Sequence, residues 1–256
     1  MSEKEERKSI GILSCPGSFD YGLIFKKLFP KDRFQCEIFD CEKFEFPIRF
    51  EKFDGFIITG SSASAYDEAD WVKELVCVTK RLIDEKYRVV GICFGHQIVA
   101  QALPKGNVAK NPNGWEFGKC SFSLEESAAQ HLHSIVSRTT KRLSTKPKKD
   151  LSLLCVHADC VTSVPAGFKS LGGNKHTPIQ GMLSNDLNVL TFQSHPEFDT
   201  KIVRACVESI VKKFGSIDLL TKGETKSMDE FHNTLNSTTT KVDDTYVRAI
   251  LVGHFI

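Results

Sequence analysis

The segment best equipped for covalent chemistry is Gly91-Ile92-Cys93-Phe94-Gly95-His96-Gln97. A short apolar run, Arg88 to Ile92, leads into the cysteine, and a helical pattern follows over Gln97 to Leu103. Gly-x-Cys-x-Gly is the thiol form of the strand–nucleophile–helix elbow. The residues two before and two after such a nucleophile must be small, because the chain folds back closely on itself. The following helix points its N-terminus at the sulfur and favours thiolate over thiol. The backbone N–H of Phe94 is then placed to meet a developing oxyanion. The competing reading is a packing cysteine at a strand end, since free cysteine is among the most buried residue types. The flanking glycines favour the nucleophile.

A thiol nucleophile needs a base. Among eight histidines, His195 in Thr191-Phe192-Gln193-Ser194-His195-Pro196-Glu197 stands out. It sits where an apolar strand ends, and Pro196 stops that strand. The carboxyl ends of strands in an open α/β sheet are where ligands bind. Glu197, two residues on, is placed to accept a hydrogen bond from the imidazole and fix its tautomer. A second cluster, Cys155-Val-His157-Ala-Asp159-Cys160, carries metal-ligand residue types, and one continuous strand would put Cys155, His157 and Asp159 on one face. The chain contains no C-x-x-C, so no metal is expected there, and thiol-based nucleophilic chemistry requires no other cofactor.

The elements that must position these groups follow from periodicity. Strands are expected at Lys8 to Cys15, Phe34 to Phe39, Gly55 to Thr59, Arg88 to Ile92, Leu151 to Val156, Ile179 to Leu183 and Val189 to Phe192. Helices are expected over Ser18 to Phe29, Glu68 to Glu85, Gln97 to Leu103 and Thr200 to Phe214. The alternation predicts an α/β protein with a mostly parallel sheet covered by helices on both faces. Gly106 to Leu124 reads as antiparallel or hairpin strands, and Ser137 to Lys149 as a solvated basic loop. Apart from the Ser237-to-Thr240 tract there is no low-complexity segment. The apolar end, Tyr246 to Ile256, reads as a terminal helix docking on the domain, with a partner or dimer contact as the alternative.

Composition narrows the classes. With 34 basic and 32 acidic side chains among 256 residues the formal net charge is +2, which argues against a nucleic-acid partner. No apolar run approaches the ~18 residues of a membrane span, so no membrane partner is expected. The charged start MSEKEERKS lacks the apolar core of a secretory signal. A cytoplasmic location, with the nine cysteines mostly free thiols, is the expectation.

The motifs GICFGHQIVAQAL (Gly91 to Leu103) and QSHPEF (Gln193 to Phe198) resemble those of class I (triad) glutamine amidotransferase-like domains, and the resemblance runs from about Ser9 to Phe214. It implies a flavodoxin-like open sheet, with Cys93 as nucleophile, His195 as base and Glu197 orienting it. It places Thr59-Gly60-Ser61-Ser62 at the family's oxyanion loop, so that the Ser61 N–H, flanked by Gly60, would pair with that of Phe94. Many members have a second glycine and a proline where this chain has Ser61 and Ser62. The stretch Lys110 to Gly118, with Trp115, is similar to a Gly-Trp-x-x-Gly segment of stand-alone members such as plant γ-glutamyl peptidases. Gln97, Trp115, His157 and Gln180 are the candidate substrate-binding residues. Asp159 and His176 lie at similar positions, with structural hydrogen bonding as the competing reading for His157, Asp159, His176 and Gln180. The domain plan is a charged lead over residues 1–8, an amidotransferase-like domain over 9–215 and an extension over 216–256 that is partly helical and docked.

The implied activity is hydrolysis of a γ-glutamyl amide or peptide bond through a thioester on Cys93. The substrate would be glutamine, a glutathione conjugate or a γ-glutamyl peptide. The chain has no Walker A motif and no room for a fused synthetase after Phe214, which favours a stand-alone hydrolase. The alternatives are a glutaminase subunit feeding ammonia to a separate synthetase and a non-enzymatic protein on the same scaffold. A homodimer is an open possibility.

Overall fold

The computed structural model describes residues 6–140, 146–237 and 242–256. Its strands are β1 (Lys8–Ser14), β2 (Phe34–Asp40), β3 (Gly55–Ile58), β4 (Arg88–Ile92), β5 (Asn107–Lys110), β6 (Glu116–Leu124), β7 (Asp150–His157), β8 (Asp159–Ser163), β9 (Phe168–Ser170), β10 (Gly172–Gly173), β11 (Gly181–Ser184) and β12 (Val189–Phe192). Its helices are α1 (Tyr21–Leu28), α2 (Asp70–Asp84), α3 (Phe94–Gln101), α4 (Glu126–Thr139), α5 (Thr200–Phe214), α6 (Ile217–Leu220), α7 (Met228–Asn236) and α8 (Asp244–His254). The central sheet runs β2-β1-β3-β4-β12-β11-β9. Its first five strands are parallel neighbours, and β11 runs antiparallel to both β12 and β9. The parallel part has the flavodoxin-like order, with the topological switch at β1 and β3.

The short continuous apolar runs have a direct cause. Successive side chains of a strand point to opposite faces, and here both faces are covered. Ile57, Val90 and Leu190 enter one buried cluster with α1, α4 and α8, while Ile58, Val89 and Val189 enter another with α2 and α3. A third cluster joins α5 and α7 through Val203, Cys206, Val207, Phe231 and Leu235. Among the described residues, no helix is long and apolar enough to cross a membrane.

Several expectations shift. Helix α3 begins at Phe94, three residues before the expected start, because Cys93 is itself the cap and Gly95 breaks the apolar period there. The glycine-rich stretch from Gly106 does not form a hairpin with itself. Instead β5 pairs antiparallel with β8, and β6 pairs antiparallel with β7. Strand β7 ends at His157 and Asp159 opens β8, so Cys155, His157 and Asp159 do not share one strand face. No element was expected at α4, which buries Ala128, Leu132, Ile135 and Val136. Ser137, Arg138 and Thr139 of the expected basic loop form the end of α4, whereas residues 141–145 lie outside the described residues. So do residues 238–240 of the serine–threonine tract.

Helix α8 packs Tyr246, Val247, Ile250 and Leu251 into the first cluster, and the Phe255 ring meets that of Phe29 edge-on at 5.9 Å. Gly253 permits this approach, because a Cβ there would collide with the Thr139 hydroxyl on α4. His254 is buried, with Nε2 2.9 Å from the Asn188 carbonyl, while its own carbonyl accepts from Arg88. Burial pulls its pKa down to about 4, outweighing the Asn188 hydrogen bond, and the positive Arg88 and nearby His131 act in the same direction. The unfolded chain therefore binds a proton below pH ~6.5 that the folded chain refuses until about 4. Stability falls as pH drops through that window, by about 3 kcal/mol at 1.36 kcal/mol per pH unit. The His254→Gln variant should lose most of this acid sensitivity, as read by urea unfolding at stepped pH between 7 and 4.

Candidate functional site

Cys93 joins β4 to α3 with φ 53° and ψ −101°. A non-glycine residue held at positive φ costs roughly 1–3 kcal/mol and persists only where its surroundings over-determine it. Here the Cys93 N–H donates to the Phe192 carbonyl (2.8 Å), the Gly95 N–H to the Thr59 carbonyl (3.1 Å) and the Gln97 N–H to the Cys93 carbonyl (3.2 Å). The two glycines are required by contact. A Cβ on Gly91 would lie 2.6 Å from the Gly95 carbonyl oxygen, and one on Gly95 would strike that of Ile58. The elbow is thus clamped between β3, β4 and β12.

His195 follows β12 directly. Its N–H donates to the Leu154 carbonyl (2.7 Å), and Nδ1 lies 2.7 Å from Glu197 Oε1. The ring stacks on Phe198 at 4.0 Å between centroids, and Tyr21 also stacks on Phe198 at 5.9 Å. Arg248, on α8, donates to the Pro196 carbonyl between the two ionisable residues (2.8 Å). Burial would lower the His195 pKa, but the Glu197 carboxylate and the Cys93 sulfur outweigh it and hold the pKa above its ordinary value. Glu197 Oε2 is buried and takes no hydrogen bond among the described residues.

The loop over residues 59–62 lies beside both groups. A Cβ on Gly60 would sit 2.9 Å from His195 Cε1 and 3.8 Å from Cys93 Cβ. Ser61 Oγ donates to the Pro16 carbonyl (2.6 Å), as does the Ser62 N–H (3.1 Å), which pins the loop without a second glycine or a proline. Among the described residues, the N–H groups of Gly60, Ser61 and Phe94 have no partner within the chain.

Gln97 is linked to the sulfur through two hydrogen bonds and one intervening residue. Its Nε2 donates to the Asp159 carbonyl (3.0 Å) and to Gln193 Oε1 (3.1 Å), and Gln193 Nε2 donates to Cys93 Sγ (3.6 Å). Gln193 was not singled out by sequence, although its place two residues before His195 puts it on the same side of the strand end. The other candidates lie elsewhere. His157 Nε2 is 3.0 Å from Glu116 Oε2, and Gln180 Nε2 donates to the same oxygen (2.8 Å). Both are buried around Glu116, a residue the sequence reading passed over because only the β6–β7 register sets it opposite His157. Trp115 stacks on Phe117 at 5.1 Å and, with His176, lines a cavity of about 330 Å³ whose walls include none of Cys93, His195 and Glu197. Asp159 accepts from Ser64 Oγ (2.5 Å) and the Tyr66 hydroxyl (3.0 Å).

The arrangement has known counterparts. The family model for glutamine amidotransferase class-I matches residues 23–205. A putative glutamine amidotransferase-like protein of Schizosaccharomyces pombe is 34% identical over 162 residues, 62% of this chain and 58% of that protein. The chain therefore spans under two thirds of that relative's length. Gamma-glutamyl peptidase 2 of Arabidopsis thaliana is 28% identical over 210 residues, 80% of this chain and 79% of its own. The solved glutamine amido transferase of Methylobacillus flagellatus shares the fold, with a TM-score of 0.71 at 20% identity over 98% of this chain and 94% of that one. With the family model spanning well over half of its residues, the chain belongs to the class-I glutamine amidotransferase family.

Proposed function

We propose that the chain is a stand-alone cysteine hydrolase that cleaves a γ-glutamyl amide or peptide bond. The observation carrying this reading is the convergence at one sheet edge of a cysteine on a strained elbow, a buried imidazole held 2.7 Å from a carboxylate, and three unpaired backbone N–H groups beside them. The likeness to the Arabidopsis peptidase over 79% of its length supports a γ-glutamyl substrate with an amine as leaving group.

The raised His195 pKa equips the imidazole, held by Glu197 on its far nitrogen, to take and keep the Cys93 proton as the sulfur attacks. The Cys93 sulfur attacks the γ-carbonyl carbon, and the carbonyl oxygen takes up the negative charge. The N–H groups of Phe94 and Ser61, with Gly60 beside them, accept that charge. As the C–N bond breaks, His195 gives its proton to the departing nitrogen, leaving a γ-glutamyl thioester and neutral imidazole. That imidazole takes a proton from water as the water attacks the thioester. Glutamate leaves, and the imidazolium returns a proton to the sulfur. The same chemistry with glutamine would release ammonia.

Incubating the pure protein with glutamine and a panel of γ-glutamyl peptides should show turnover of a peptide and a γ-glutamyl adduct on Cys93 by mass spectrometry. The Cys93→Ala variant should show neither. Turnover of glutamine alone, appearing only with an added synthetase, would favour an ammonia-delivering subunit instead. A second expectation concerns the loop. In Gly60→Ala the new methyl meets the imidazole edge rather than backbone, so the fold should survive while the ring is displaced. Displacement of about 1 Å can cost roughly 10²-fold in rate. Steady-state kinetics should show that loss in kcat, with the thermal midpoint close to wild type.

A further inference from the structure

Four side chains of metal-ligand type meet on one face of the β6–β7 ladder. Glu116 and Cys120 come from β6, and Cys155 and His157 from β7. In this register Glu116 stands directly opposite His157, while Cys120 and Cys155 stand diagonally. Alternate residues of a strand share a face, so all four point the same way. One ligand atom each from Glu116, Cys120 and Cys155 lies within 4.8 Å of the other two. His157 Nε2 is 3.0 Å from Glu116 Oε2. All four side chains are buried.

The state of His157 is a separate pointer. Its Nδ1 lies 3.1 Å from the Asp159 carbonyl, which can only accept, so Nδ1 carries a proton and Nε2 is the nitrogen turned to the cluster. Histidines that bind metals through one nitrogen are commonly oriented by such a bond from the other. Nε2 is buried and makes no hydrogen bond of acceptable geometry among the described residues. Its near neighbour is the Glu116 carboxylate, and a positive charge sits between them: a proton on Nε2 supplies it as an ion pair, and a bound metal ion would displace that proton. The carboxylate is oriented from outside the cluster. Asn174 donates to Oε1 (2.8 Å), and Thr177 (2.9 Å) and Gln180 (2.8 Å) donate to Oε2.

We propose that Glu116, Cys120, Cys155 and His157 bind one zinc ion. Two thiolates and an imidazole select a borderline-soft ion over magnesium or calcium. Bond lengths of about 2.3 Å to sulfur and about 2.0–2.2 Å to nitrogen and oxygen put tetrahedral ligands roughly 3.5–3.8 Å apart, so Glu116, Cys120 and Cys155 need up to about 1 Å of contraction and the His157 ring must turn from Glu116 toward the sulfurs. Four protein ligands close the coordination sphere, which makes the ion structural. Glu116 and Cys120 also line the cavity of about 330 Å³ beside β6, which supplies an entry path. The absence of C-x-x-C hid this set, because its members come in pairs from two strands. The site would matter to the chemistry through β7. Its Leu154 carbonyl holds the His195 N–H (2.7 Å), and its Val156 carbonyl accepts from Cys93 Sγ (3.9 Å). Zinc bound at Cys155 and His157 would fix the strand between and beside those two carbonyls.

The test is metal binding, read without activity. Chelator-treated full-length chain is titrated with Co²⁺ and then Zn²⁺. The expected result is one equivalent of Co²⁺ with thiolate charge-transfer and tetrahedral d–d absorption, displaced by one equivalent of Zn²⁺, and a higher thermal midpoint in zinc. Cys155→Ser should abolish the stoichiometric spectrum, whereas Cys77→Ser, at an exposed cysteine, and Cys93→Ala should retain it. Should circular dichroism show Cys155→Ser unfolded, Glu116→Gln takes its place and should weaken binding at least tenfold. The proposal is overturned if the wild-type chain takes up no zinc at micromolar metal, or if binding is lost in Cys93→Ala or Cys77→Ser while the cluster variant keeps it.

Discussion

Much of this molecule depends on one backbone turn. Cys93 is held at φ 53° by hydrogen bonds from Cys93, Gly95 and Gln97 that use carbonyls of three different segments. Those carbonyls belong to Phe192 at the end of β12, Thr59 after β3, and Cys93 itself. A turn with this strain survives only because the sheet on either side of β4 is already packed on both faces. The order β3-β4-β12 in the sheet centre is therefore a requirement of the site. It brings the ends of three strands together, one carrying the sulfur, one the imidazole and one the loop with unpaired N–H groups.

The second constraint is charge in a dry place. His195 and Glu197 are buried, and an ionised group removed from water needs a partner. Each supplies the other's partner at 2.7 Å, and the Phe198 ring stacks against the imidazole. Distant parts of the chain help to hold this geometry. Strand β7 grips the His195 backbone through Leu154, and α8 reaches the Pro196 carbonyl through Arg248. The C-terminal segment thus contributes to the site's frame although it carries none of the candidate reactive groups.

How much of this could be read beforehand differs from residue to residue. The strands Gly55 to Ile58, Arg88 to Ile92 and Val189 to Phe192 were legible because burial on both faces writes itself as an uninterrupted apolar run. The amphipathic helices α2 and α5 were legible from their 3.6-residue period. The pairing of β5 with β8 and of β6 with β7 was not, because register between strands separated by dozens of residues leaves no local mark. Helix α4 was missed for a related reason. Its N-terminus lacks a side-chain cap and two of its five buried residues are alanines, which mark an apolar face weakly.

Local sequence determined the elbow. Gly91, Cys93 and Gly95 can be understood from the chain alone, since the steric demands of a tight strand-to-helix turn act between near neighbours. His195 and Glu197 were legible in the same way, as a strand end followed by a proline and an acid. The tertiary structure alone decided which distant groups surround them. Gln193 reaches the sulfur, and Gln97 reaches Gln193, only because β4 and β12 are adjacent. His157 faces Glu116 because β6 and β7 pair in one register, and a shift of one residue would send the two to opposite faces, while Gln180 reaches Glu116 from just before β11. Sequence spacing carries information along the chain, whereas the partners of a buried polar group are chosen across it.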